Sequence, residues 1–77
     1  MSLYEFLRLD ELDQLEAFWN GVYIGERSEG GFVIECRQID DFYVEYTLIG
    51  GHSIHVYGFK NPDLLKPYFD QMGRIEI

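Results

Sequence analysis

At 77 residues the chain has room for one small domain, residues 1–77, and a domain of this size buries only roughly 60% of the surface its unfolded chain exposes. A hydrophobic content of 47%, with six Tyr, six Phe and one Trp, excludes a disordered chain in spite of the formal net charge of -8. Fourteen acidic residues against six scattered basic ones argue against nucleic-acid binding, and Cys36 as the single cysteine excludes an internal disulfide.

A thin core without disulfides points to a partner subunit as the supplement. No run approaches the roughly 18 apolar residues of a membrane span. The opening Met1–Glu11 stretch has neither the basic leader nor the cleavage site of a signal peptide. The expectation is a cytoplasmic protein that binds no membrane and no nucleic acid.

In chain order, Leu3–Arg8 partly alternates and reads as a short strand or an extended arm. Asp10 then suits an N-cap, Glu11 and Asp13 complement a helix dipole, and Leu12, Leu15, Phe18 and Trp19 form an apolar stripe. Asn20-Gly21 stops this helix. Its other side carries Glu11, Asp13 and Glu16. Gly21–Arg27 reads as a strand, Ser28–Gly31 as a turn and Phe32–Arg37 as the returning strand.

Ile39–Phe59 reads as a hairpin turning at Gly50-Gly51. A strict two-residue loop would set Tyr46 opposite His55. A longer or bulged loop joins Ile54 and Val56 to Phe42, Val44 and Tyr46 in one apolar face for the first helix, and is preferred for that reason. The second face then carries Tyr43, Glu45, Thr47, His55, Tyr57 and Phe59, extended by Val33, Glu35 and Arg37. Asn61 caps a turn with Pro62 at its first position. Pro67 interrupts it, so the helix restarts at Lys66-Pro67 with Tyr68, Phe69 and Met72 as anchors and Gly73 as its stop. Residues 74–77 fray or add an edge strand. The fold class is α+β: an antiparallel meander of about four strands, an N-terminal amphipathic helix on one face, and a short C-terminal helix.

Chemistry-bearing patterns are sparse. His52 and His55 are three apart, a spacing that serves metal binding on a helix but sends side chains to opposite faces of a strand, so no metal or cofactor is expected. His55 beside Glu45 or Tyr57 has the residue types for acid–base work but no evident pocket. Asp40-Asp41 reads as a solvated strand entry. Cys36 alternates with Phe32 and Ile34 and reads as a buried small residue.

Leu3-Tyr4-Glu5-Phe6, Leu9-Asp10-Glu11 with Gln14, Trp19-Asn20-Gly21, Gln38–Glu45 and Leu65-Lys66-Pro67-Tyr68 together resemble a group of small bacterial proteins with no assigned activity. The resemblance implies a free-standing bacterial domain and transfers no functional residue. From the residues themselves, the leading expectation is a non-enzymatic interaction module that self-associates, most simply as a dimer, through Tyr43, Glu45, His55, Tyr57 and Phe59. The alternatives are a ligand-binding or catalytic pocket around Tyr43, His55, Tyr57 and Glu45, and an acidic modulator that meets a basic partner through the first helix.

Overall fold

The computed structural model of the chain describes residues 1–49 and 53–72. Its first element corrects the sequence expectation. Leu3–Leu7 is a short helix, α1, and not a strand. The Ser2 hydroxyl accepts the Glu5 N–H at 3.1 Å, while the Glu5 carboxylate accepts the Ser2 N–H at 2.8 Å. This reciprocal pair satisfies two amide groups that a helix start otherwise leaves open, and Phe6 is turned inward and buried.

Asp10 caps α2, Glu11–Trp19, as its position suggested, its carboxylate accepting the Asp13 N–H at 2.9 Å. The buried stripe is rotated from the expected one. Phe18 is buried, with Gln14, Leu15 and Ala17 partly so, while Leu12 is 77% exposed and Trp19 about half exposed. Gln14 ties the two helices together by donating to the Phe6 carbonyl at 3.2 Å.

Four strands follow as an antiparallel meander in the order β1 (Val22–Glu29), β2 (Phe32–Ile39), β3 (Phe42–Ile49) and β4 (Ser53–Phe59). The first turn is tighter than expected. Glu29 pairs with Phe32, leaving only Gly30 and Gly31, whose φ values of 59° and 85° are the positive pair a two-residue hairpin turn demands. Asp40-Asp41 likewise joins the paired residues Ile39 and Phe42, with Asp40 at φ 51°. In the last hairpin Ile49 faces Ser53 and Tyr46 faces Val56, the register of the longer loop. Gly50, Gly51 and His52 themselves lie outside the described residues.

This register divides the sheet into two faces, and one expectation about them fails. Glu35 opposes Tyr46 and Arg37 opposes Val44, so Val33, Glu35 and Arg37 belong to the face covered by α1 and α2. The second face takes Ile34, Cys36 and Gln38 in their place, opposite Thr47, Glu45 and Tyr43. The cause is the two-residue Asp40-Asp41 turn, which sets Ile39 on the face of Phe42.

Each face carries a core. Phe6, Phe18, Phe42 and Val44 pack under the N-terminal helices, with the Phe6 and Phe42 rings 5.6 Å apart and Phe18 stacked on Tyr46 at 5.3 Å. Cys36, Phe59, Leu65 and Tyr68 form the other, joined by Ile24 and Tyr43. The cover of this second core is a 3₁₀ turn over Pro62–Leu65, capped by Asn61, that runs into α3, Lys66–Met72. The break at Leu65-Lys66 falls where Pro67 required it, in the first helical turn where its missing N–H removes no bond. Tyr68 is the anchor, whereas Phe69 is 55% exposed. The Met72 side chain, Gly73 and residues 74–77 lie outside the described residues. Among the described residues no helix is long and apolar enough to cross a membrane.

Candidate functional site

The second face is only partly roofed by the 3₁₀ turn and α3, and the uncovered part is an open cleft of about 520 Å³. Arg27 and Glu45 lie at its base, and Tyr57 and Phe59 form an aromatic wall. Asp63, Leu64 and Lys66 stand at the rim.

Arg27 reaches this face because β1 contains a bulge. Tyr23 pairs with Arg37 but Gly25 pairs with Cys36, so Ile24 is an extra residue and every position beyond it changes face. Arg27 therefore lies opposite Ile34. Its Nη2 donates to Glu45 Oε2 at 3.3 Å and its Nη1 to Glu29. The Tyr68 hydroxyl donates to the same Glu45 oxygen at 2.6 Å, and the guanidinium carbon lies 5.6 Å from the centre of the Tyr68 ring. Three side chains far apart in the chain thus form one network beneath the cleft.

The network sets the electrostatics. Burial, reinforced by the hydrogen bond and charge of Glu45, pushes the Tyr68 hydroxyl well above the ordinary tyrosine range. Burial works against the Arg27 charge, but the hydrogen bonds and charges around it prevail and hold it firmly protonated. The Cys36 thiol is pushed up to about 12, first by burial and then by the Glu45 charge. It is a protonated core residue at neutral pH, not a nucleophile.

The residues anticipated from sequence are distributed unevenly around this cleft. Glu45, Tyr57 and Phe59 line it. Tyr43 packs beside Phe59 at 5.5 Å between ring centres, inside the second core. His55 is exposed and opposes Thr47, away from the described walls. Phe59 is buried, and Tyr57, stacked on it at 5.7 Å, is 47% exposed. Glu45 is engaged by Arg27 and Tyr68 through Oε2, and among the described residues no hydrogen bond joins it to His55. The His52–His55 pair falls partly outside the described residues. Asp41 pairs with Lys60 at 3.2 Å, and both side chains are well exposed.

Sequence reasoning did not place Arg27, Glu29, Asp63, Leu64, Lys66 or Pro67 at this site, and it read Tyr68 only as a helix anchor. Pro67 gave the anchoring position of Tyr68, since it fixes where the helix restarts, but nothing local gave the bond from its hydroxyl to Glu45. On the opposite face Arg37 looks like a recognition group but is a fastener. Its Nη1 donates to the carbonyls of Trp19 at 3.3 Å and Gly21 at 3.2 Å, its Nε to Glu35 at 2.6 Å. The rings of Phe18, Trp19 and Tyr23 surround it within 5.8 Å. It closes the C-terminus of α2 onto the sheet. No family model, curated protein or solved structure matches the chain.

Proposed function

We propose that the chain is a cytoplasmic, non-enzymatic interaction module that self-associates as a two-fold dimer along β4 and the adjoining part of the second face. The carrying observation is the contrast between the two edges of the sheet. β1 is a guarded edge, with its bulge at Ile24, the charges of Glu26, Arg27 and Glu29, and α3 packed beside it. β4 meets α1 at Gly58, where Leu3 lies against it, but it has no bulge in its pairing, no proline and no Asp, Glu, Lys or Arg among Ser53–Phe59, and a sheet neighbour on one side only.

An uncharged, regular edge of this kind is a template for another strand, and a second copy of β4 fits it by antiparallel pairing about a two-fold axis. The exposed Tyr57 and His55 beside that seam supply side-chain area of the type enriched at interfaces. A non-catalytic role is supported by the engagement of Glu45 Oε2 with Arg27 and Tyr68 and by the protonated state of Cys36.

Amide hydrogen exchange of β4 at two protein concentrations tests this reading. The outward-facing amides of β4 are expected to be protected at high concentration and to exchange freely on dilution, while those of β2 and β3 do not change. Concentration-independent exchange along β4 would refute edge pairing.

A further inference from the structure

The cleft lies within a single chain, between the sheet and the C-terminal elements, so it poses a question that edge pairing leaves open. Glu45 supplies the first part of the answer. Its side chain is 15% exposed, and both of its hydrogen bonds, from Tyr68 and from Arg27, go to Oε2. Among the described residues Oε1 accepts none, although Glu45 lines the cleft.

Charge supplies the second part. Arg27 is shared through Nη1 with Glu29 and through Nη2 with Glu45, so two carboxylates oppose its charge; its Nε is buried without a partner among the described residues. With Asp63 added and Lys66 opposing, the lining carries one more negative than positive charge, in a chain of net charge -8. The stacked Tyr57 and Phe59 rings provide a flat apolar wall with Tyr57 half open to solvent. A carboxylate oxygen free to accept, a negative local balance and an aromatic wall together describe a receptor for a cation with an apolar body.

We propose that this cleft binds amphipathic cations, the ammonium or guanidinium directed at Glu45 Oε1 and the apolar part lying on Tyr57. The same chemistry is offered by a small aromatic amine and by a Lys or Arg side chain of a partner protein.

The test follows backbone amide shifts while three probes of one shape are titrated in low salt: 2-phenylethylamine, neutral 2-phenylethanol and anionic 3-phenylpropionate. Ligands this small bind with dissociation constants on the order of millimolar. The amine is expected to bind about tenfold or more tighter than the anion, with shifts concentrated at Arg27, Tyr57 and Lys66. Glu45→Gln should abolish that preference. Because this change also disturbs the Arg27–Tyr68 network, Asp63→Asn, at an exposed rim position, is the second variant and should reduce the preference while the spectrum stays folded. A capped Phe-Lys dipeptide that binds more tightly than the amine assigns the cation to a partner protein, and the reverse order assigns it to a small molecule. Equal or tighter binding of the anion, shifts scattered away from the cleft, or no shifts with any probe would overturn the proposal. Since His55→Lys burdens the β4 seam but lies outside the cleft, amine binding that survives in that variant separates this site from dimerisation.

Discussion

Tyr68 serves the second face through both its ring and its hydroxyl. It is fully buried, caps the core made by Cys36, Phe59 and Leu65, and satisfies a partly buried carboxylate through its hydroxyl. Tyr68→Phe keeps the ring and removes only the bond to Glu45, so it should cost about 1.5–3 kcal/mol in urea denaturation with an unchanged denaturant slope. A loss near zero would mean that Arg27 and solvent satisfy Glu45 without help. Two groups in this core also link stability to alkaline pH. Both the Cys36 thiol and the Tyr68 hydroxyl are harder to ionise in the folded protein than their ordinary values of 9.0 and 10.0. Their contribution is complete below those values and declines as pH rises above them, because the unfolded chain then releases protons that the folded chain holds. Thermal stability should therefore fall from about pH 9 upward, and Cys36→Ala should shallow the first part of that decline. A flat profile between pH 9 and 12 would contradict the burial assigned to Cys36.

At the scale of elements, α1 shows how two legible signals compete. Ser2 and Glu5 have capping-box spacing, but Leu3-Tyr4-Glu5-Phe6 also alternates, and the helix is favoured because it brings Phe6 onto Phe42. Its acid sensitivity follows from the same cap. The bonds from Ser2 hold the Glu5 carboxyl below its ordinary 4.5, so the stabilisation is present above that value and is lost as pH falls through the lower folded one. Amide signals of Ser2–Phe6 should lose their protection on acidification before those of β2 and β3. Glu5→Ala should remove this early step; simultaneous loss across the whole protein would show that the cap is not linked to α1 docking. Local punctuation such as Asp10 or Asn61-Pro62 was readable from sequence because each cap acts on the next few residues. The partners of Arg27 were not readable. Glu45 and Tyr68 lie 18 and 41 positions on, and the face that Arg27 occupies depends on the single extra residue Ile24. Strict alternation from Tyr23 would have sent Arg27 to the helix-covered side. The rotated stripe of α2 has a similar origin, since α1 docking beside it, through Gln14 and Phe6, decides which turn of the helix faces inward.

For the whole molecule, the meander and its α+β class were legible because hydrophobic alternation and Gly or Asp turns act along contiguous sequence. The site was legible only in its β3 and β4 part: Glu45, Tyr57 and Phe59 follow from strand alternation, while Arg27 depends on the β1 bulge and the roof that converts an open face into a cleft comes from the C-terminal elements. That roof also sets where the proposed self-association would take place. It buries Phe59 and leaves Tyr57, His55 and the free side of β4 as the available surface. Sedimentation equilibrium of the unmodified chain and of His55→Lys, at concentrations of tens of micromolar, tests this most directly. Pairing through β4 predicts a mass twice the 9.1 kDa of the chain for the unmodified protein and a shift toward 9.1 kDa for the folded variant. A mass of 9.1 kDa for the unmodified protein at every concentration, or a dimer indifferent to the lysine, would contradict it.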